Sequence, residues 1–265
     1  EFLQCDADVI GSKSMMQEID FISLFDSVFN DLNLEGCLIK INSRKLLYAI
    51  CEINDCIDKF GIITNQLDKL DKTDVNVVKN NLTENGFDKK IIDSLFEAID
   101  LSTNFYDNLK EIKLYFKSSD IGLEAISDIE YIFNYFSKNK LIKSNLVFDI
   151  SLARGIDYYT GVIFEVNLKF DVKNKKGPVI QFGSIGGGGR YDNLVNNFGN
   201  FDAPATGISI GLDRLVYALM QKKEFKVKQS KPVVICVFDK NSMKEYINVQ
   251  TILRKAGISA EIYPG

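Results

Sequence analysis

Eleven of the 18 glycines in this chain fall between Gly155 and Gly211, and four are consecutive, Gly186-Gly187-Gly188-Gly189. A stretch so rich in residues without Cβ marks tight turns, or places where backbone must approach something closely. Its surroundings read as strands. Val162, Phe164, Val166 and Leu168 alternate with Ile163, Glu165 and Asn167, which predicts a half-buried strand. Residues 147–152 and 205–210 read as two more, the latter running into a helix over 212–221. Strands separated by turns predict an antiparallel sheet.

The rest of the chain divides by pattern into three further regions. Residues 1–52 read as strand, helix, strand, helix. Ile19, Ile22, Phe25, Val28 and Phe29 recur at helical spacing within 15–33, a short strand covers Cys37-Leu38-Ile39-Lys40-Ile41, and a second helix starts near Ser43. Residues 53–140 contain no Pro and carry repeated apolar stripes, among them Ile91, Ile92, Leu95, Phe96, Ile99 and Ile126, Ile129, Phe133, Phe136. They read as an all-helical insertion between strand-rich segments 1–52 and 141–230. From Lys231 onward a strand, a helix over 241–256 and a second strand predict the beginning of an α/β domain over 231–265. The chain opens on Glu1-Phe2-Leu3-Gln4-Cys5, which reads as mid-strand, and is expected to be part of a longer protein.

Composition excludes several chemistries. The 265 residues, 46% apolar and 26% charged, are ample for a core without staples. With 32 basic and 36 acidic side chains the formal charge is -4, so no global field draws nucleic acid, and RNA contact would need a local patch. There is no histidine, which removes Ser-His-Asp and Cys-His catalysis and imidazole zinc sites. Five scattered cysteines with no C-x-x-C pair predict buried free thiols, no bound metal and a reducing compartment. No apolar run reaches the roughly 20 residues of a membrane span.

Arginine is scarce, five against 27 lysines, yet Arg154, Arg190 and Arg214 all lie in the Gly-rich region. A guanidinium fork suits carboxylate or phosphate oxygens, so the clustering favours anion binding over surface salt bridges. Two motifs in the same region mislead. Gly207-Ile208-Ser209-Ile210-Gly211 matches a hydrolase nucleophile elbow, but the chain has no histidine to serve as base. Gly186-Gly187-Gly188-Gly189-Arg190 lacks the Lys-Ser/Thr of a phosphate loop. Tyr158-Tyr159 reads either as core packing or as a pocket wall; its place just after Arg154 favours the wall.

These segments carry a resemblance. Leu152-Ala153-Arg154-Gly155-Ile156-Asp157-Tyr158-Tyr159-Thr160-Gly161 and Gly187-Gly188-Gly189-Arg190-Tyr191-Asp192 resemble the two histidine-specific segments of histidyl-tRNA synthetases. Gly207 to Leu215 resembles motif 3 of class II aminoacyl-tRNA synthetases, and Phe2 to Val9 the strand closing motif 2. All four occur in the family's order, in wording nearest to eukaryotic cytosolic enzymes.

The resemblance implies an α+β fold: a class II antiparallel sheet with flanking helices, a helical insertion, and the start of an α/β anticodon-binding domain. It implies a ligase that joins L-histidine to ATP, with Mg2+, as an adenylate and then transfers the acyl group to tRNA(His). Arg154 would be the catalytic cation, holding the histidine carboxylate and α-phosphate. Gln4 would meet the α-amino group, and Asp8 and Tyr159 the imidazole nitrogens. Tyr158 and Tyr191 would complete the histidine pocket, and Arg214 would bind ATP. Asp213 stands where motif 3 usually has Glu. Motif 1 and the motif 2 arginine are absent from this stretch, so the chain alone is expected to be inactive, and the full-length protein a cytoplasmic homodimer without membrane association. A non-catalytic regulatory or RNA-sensing relative is the alternative, although such relatives typically lose the histidine segments.

Overall fold

A six-stranded sheet organises the first part of the molecule, with strands in the order β1-β8-β7-β4-β2-β3. These are β1 (Gln4–Ile10), β2 (Cys37–Ser43), β3 (Ser144–Phe148), β4 (Val162–Asn167), β7 (Gly186–Arg190) and β8 (Ala205–Gly211). Every pairing is antiparallel except that of β2 with β3. A two-stranded ribbon, β5 (Val172–Lys173) with β6 (Val179–Ile180), lies between β4 and β7 in sequence. The computed structural model describes residues 2–70, 73–154, 158–169, 172–173, 179–180, 183–197, 203–221 and 231–263. The chain forms two compact units, Glu1–Ala218 and Leu219–Gly265.

The glycine run is the middle strand β7. A Cβ at Gly186 would sit 3.0 Å from the Phe25 ring, and one at Gly188 2.0 Å from the Gly207 carbonyl oxygen. Bare backbone here lets helix α1 (Met16–Asp31) press directly on the sheet. The helix buries Ile19, Ile22, Phe25 and Phe29, one stripe at three- and four-residue spacing, with the Phe25 and Phe29 rings stacked at 6.0 Å. Its buried Asp26 accepts the backbone N–H groups of Ile142 (2.5 Å), Lys143 (2.9 Å) and Ser144 (2.8 Å), which leads the chain into β3.

Seven of the helices lie between β1 and β3. After α1 come α2 (Arg44–Ile53), α3 (Phe60–Leu67), α4 (Val75–Glu84), α5 (Lys89–Ser102), α6 (Leu109–Tyr115) and α7 (Asp120–Lys138). Aspartates cap two of them: Asp74 accepts from the Asn76 N–H at 2.8 Å and Asp88 from the Ile91 N–H at 2.9 Å. Helix α7 packs on α2. A Cβ at Gly122 would lie 3.0 Å from that of Ala49, Lys45 pairs with Glu124 at 2.8 Å, and the α7 cap Ser119 donates to Glu52. The last helix of the stretch read as an insertion is thus tied to the helix that precedes it.

Two strands differ from expectation. β3 ends at Phe148 and not at residue 152, because Asp149 turns the chain: its N–H donates to the Ile41 carbonyl and its carboxylate accepts from the Ser151 N–H at 3.0 Å. β4 buries more than the expected face: Val162, Phe164 and Val166 are buried as the alternation implies, and on the other face Ile163 is also buried, against Leu152 and Tyr159, while Glu165 and Asn167 stay partly exposed. Among the cysteines, Cys37, Cys51 and Cys56 are buried thiols as expected, whereas the thiols of Cys5 and Cys236 are exposed. No helix among the described residues is long and apolar enough to cross a membrane.

Helix α8 (Leu212–Gln221) follows β8 directly. In the second unit, β9 (Val233–Cys236) and β10 (Ala260–Tyr263) pair in parallel, joined by α9 (Met243–Lys255). This is the β-α-β order read from the sequence.

Removing the Asp26 carboxylate would strand three backbone donors at once, that of Ser144 buried and those of Ile142 and Lys143 partly so. Asp26→Ala is expected to lower unfolding free energy by about 3 kcal/mol or more, with Asp26→Asn recovering part of it. Urea unfolding checks this, and a loss under about 1 kcal/mol would contradict the assignment.

Candidate active site

Side chains alternate across a strand, so Gln4, Asp6 and Asp8 share one face of β1. They stand opposite Gly211, Ser209 and Gly207 of β8. A Cβ at Gly207 would lie 1.8 Å from Asp8 Oδ1, so glycine there makes room for the carboxylate. The Tyr191 hydroxyl donates to Asp8. Tyr159 is 7% exposed, packed with Leu152 and Ile163, and Tyr158 is 40% exposed. The Tyr158 ring sits 4.6 Å from that of Tyr159 and 6.0 Å, edge-on, from that of Tyr191. Burial, with neighbouring acidic oxygens, pushes the Tyr159 and Tyr191 phenols well above the ordinary tyrosine range, so both remain neutral hydroxyls able to donate. These groups line a cavity of 240 Å³. Two carboxylates, one amide and three phenols suit a ligand rich in N–H donors and bearing positive charge.

A second cavity of 440 Å³ has the opposite character, with the guanidinium groups of Arg154 and Arg214 in its wall. Gln4, Gly187 and Ser209 line both cavities, so the two adjoin. Arg154 is held by its neighbours. The Asn42 side-chain amide, fully buried on β2, donates to the carbonyls of Ile150 (3.0 Å) and Leu152 (2.9 Å), fixing the segment that leads to it. Arg154 itself takes a left-handed backbone, φ 36°, a strained conformation for a non-glycine residue. Its Nη1 donates to the Phe164 carbonyl at 2.7 Å, and its guanidinium lies 5.9 Å from the Tyr159 ring centre. A Cβ at Gly187 would lie 1.5 Å from that Nη1, so the arginine crosses β7 where there is no side chain.

Arg214, in the first turn of α8, donates to the Ser184 carbonyl at 2.8 Å. Its neighbour Asp213 accepts the Leu3 N–H at 2.9 Å, while the Leu212 N–H donates to the Leu3 carbonyl at 3.0 Å. The aspartate that replaces the usual glutamate thus joins the start of β1 to the start of α8.

Arg190 departs from the anion-binding expectation. It is 4% exposed and paired with the fully buried Glu18 at 2.6 Å, with further contacts to Asp192 (3.3 Å) and the Ser12 carbonyl (3.1 Å). A buried guanidinium requires a counter-charge, and this one is committed to α1 and to the loop after β1. Burial raises the Glu18 carboxyl while Arg190 opposes the rise. The structure brings the other seven singled-out residues, Gln4, Asp8, Tyr158, Tyr159, Tyr191, Arg154 and Arg214, around the paired cavities. Gly155, Ile156 and Asp157 of the first histidine-like segment lie outside the described residues. Sequence reasoning missed Asp6, although the alternation that joins Gln4 to Asp8 includes it. It also missed Asn42 and Glu18, whose partners lie more than a hundred residues away and leave no local signal. Among the described residues no group of three acidic or cysteine side chains could hold a metal ion.

Gly187→Ala is expected to displace the Arg154 guanidinium. Because its Cβ would also meet the Phe164 carbonyl oxygen at 2.8 Å, it should strain the pairing of β7 with β4 as well. The expected cost is at least about tenfold in whatever activity Arg154 serves, together with some loss of stability. Activity measured beside the melting temperature checks this; full activity would show that Arg154 does not work from this position.

Comparison with known proteins agrees with this geometry. The family model described as histidyl-tRNA synthetase matches residues 1–215. A histidine–tRNA ligase of Christiangramia forsetii is 39% identical over all of this chain and 57% of its own length. Those of Flavobacterium johnsoniae and Bacteroides fragilis are 37% and 39% identical, again over the whole chain and over 54% and 56% of their own. The chain therefore spans a little over half the length of the curated relatives it matches. These relatives are bacterial, which corrects the expectation of a eukaryotic cytosolic type. Among solved structures, a histidyl-tRNA synthetase from Nostoc sp. PCC 7120 superposes with a TM-score of 0.76 at 24% identity, covering all of this chain and 61% of that one. An ATP phosphoribosyltransferase regulatory subunit/histidyl-tRNA synthetase from Bacillus halodurans gives 0.70 at 17%, covering 98% and 62%. Both show the fold. From the family match over most of its length and the identity to these ligases, the chain belongs to the histidyl-tRNA synthetase family.

Proposed function

We propose that this chain forms much of the catalytic core of a histidine–tRNA ligase, which joins L-histidine to tRNA(His) through a histidyl-adenylate. The observation that carries the reading is the pair of adjoining cavities, one lined by Asp8 and three tyrosines, the other walled by Arg154 and Arg214. Histidine is a zwitterion with two ring nitrogens, and ATP is a polyanion; the cavities match them in that order. Asp8 and Tyr159 hydrogen-bond the imidazole, Gln4 meets the ammonium group, and Tyr158 and Tyr191 close the pocket. A pocket that pairs both ring nitrogens rejects apolar analogues, because its own groups would be left unpaired.

In the first step a histidine carboxylate oxygen attacks the α-phosphorus of ATP and pyrophosphate leaves. Negative charge builds on the α-phosphate oxygens, and Arg154, in the wall of the second cavity beside Gly187, neutralises it. Arg214 holds the triphosphate end, and Mg2+ enters with the ATP phosphates. In the second step a hydroxyl of the terminal ribose of tRNA attacks the acyl carbon and AMP leaves.

On this reading residues 1–52 and 141–230 are the two parts of the catalytic core and 53–140 a helical insertion. Residues 231–265 begin an anticodon-binding domain. The full-length protein is a cytoplasmic homodimer, and this stretch alone is inactive because it lacks motif 1 and the motif 2 arginine. The intact set of Asp8, Arg154, Tyr159 and Tyr191 favours the enzyme over a regulatory relative.

Arg154→Ala in the full-length protein is expected to slow histidine-dependent pyrophosphate exchange by orders of magnitude. A change below tenfold, about 1.4 kcal/mol, would remove Arg154 from the mechanism. Asp8→Ala should weaken histidine binding more than ATP binding, as separate titrations would show; equal losses would make Asp8 structural.

A further inference from the structure

We infer that Asp6 is a positioning residue: its carboxylate fixes which end of the Gln4 amide faces the amino-acid pocket, and so sets the pocket's preference for a ligand carrying a primary ammonium. The inference rests on reading that pocket as the histidine site.

The two ends of a glutamine amide have nearly the same shape and opposite chemistry, since the oxygen accepts hydrogen bonds and the nitrogen donates them. Left alone, the group can turn to suit an ammonium or a carboxylate. Gln4 is not left alone. Its Nε2 donates to Asp6 Oδ2 at 2.9 Å. A carboxylate accepts and cannot donate, so the opposite orientation would set two acceptors against each other. Among the described residues no other side chain holds the Gln4 amide, and its carbonyl oxygen remains to accept from a ligand.

Place and register support this. Gln4 lines both cavities, at the border a bound amino acid and its phosphate partner would span. Asp6 lines the acidic cavity and stands on the same face of β1, two residues on, within reach of the amide. Its side chain is exposed and its backbone is held in the ladder opposite Ser209, so replacing the side chain leaves the strand in place. Asp6 acts through Gln4 and needs no contact with the reacting atoms.

The test compares L-histidine with its des-amino analogue, 3-(imidazol-4-yl)propionate, by calorimetric titration of the full-length protein and its Asp6→Asn and Asp6→Glu variants. Asp6→Asn, whose amide can donate or accept, is expected to weaken histidine binding about tenfold while changing binding of the des-amino analogue less than about twofold. Asp6→Glu, which keeps an obligate acceptor, should recover most of the loss. Equal losses for both ligands would make Asp6 structural and overturn the inference, as would no loss for either. Repeating the titrations in high salt separates orientation from bare charge: an exposed charge is screened, whereas a turned amide is not. A histidine-selective loss that vanishes in salt would overturn the positioning role. If the unaltered protein fails to prefer histidine over its des-amino analogue, the reading of the pocket fails, and the inference with it.

Discussion

A strand of four glycines in the middle of a sheet imposes the constraint on which this molecule depends. From Gly186 to Gly189, β7 offers neighbouring layers no side chains, so what packs against it there must come to the backbone itself. On one side that is Phe25 of α1. At Gly187 it is the guanidinium of Arg154, which crosses to the Phe164 carbonyl. At the end of the same strand Arg190 reaches Glu18 and ties α1 to the sheet. The strand thus joins a packing surface to a reactive one with a single layer of peptide between them, and the loss of side-chain burial along it is offset by the helix and strands that flank it.

Charge is sorted across this sheet with little waste. Acidic and phenolic groups gather over β1, just before β4 (Tyr158 and Tyr159) and just after β7 (Tyr191), and the guanidinium groups of Arg154 and Arg214 gather beyond Gln4. The third arginine of the region is withheld from solvent by its own carboxylate. On the proposed function, this division lets the two adjoining cavities treat the two ends of a zwitterion differently, and Gln4, which is uncharged, marks the boundary.

Much of this is legible in the residues. Helices α1 and α8 follow from periodicity, because each buries one regular stripe, and the β-α-β of the second unit follows from its strand–helix–strand pattern. The residues resembling the histidine segments and motif 3 name most of the side chains around the cavities. What escapes reading is non-local. The end of β3 depends on Asp149 bonding across to Ile41, and the burial of Ile163 on the second face of β4 on its packing with Leu152 and Tyr159. Arg190 looks like its neighbours Arg154 and Arg214 in sequence; a glutamate 172 positions earlier in the chain decides its different use. Asp6 was within reach of the alternation rule, but a carboxylate beside two better-known contacts carries no mark of its own.

The parallel pairing of β2 with β3 has a consequence for how the chain acquires this shape. Antiparallel neighbours can meet through a short turn, but Cys37 pairs with Ser144 across the whole helical stretch. Closing a loop of about a hundred residues is slow unless that loop first shortens itself, which locally stabilised helices do. At that edge of the sheet α7, docked on α2, delivers Ile142 to Ser144 into the grip of Asp26. During synthesis the first two strands emerge long before their neighbours exist, and their exposed edges must wait for the sheet that will cover them.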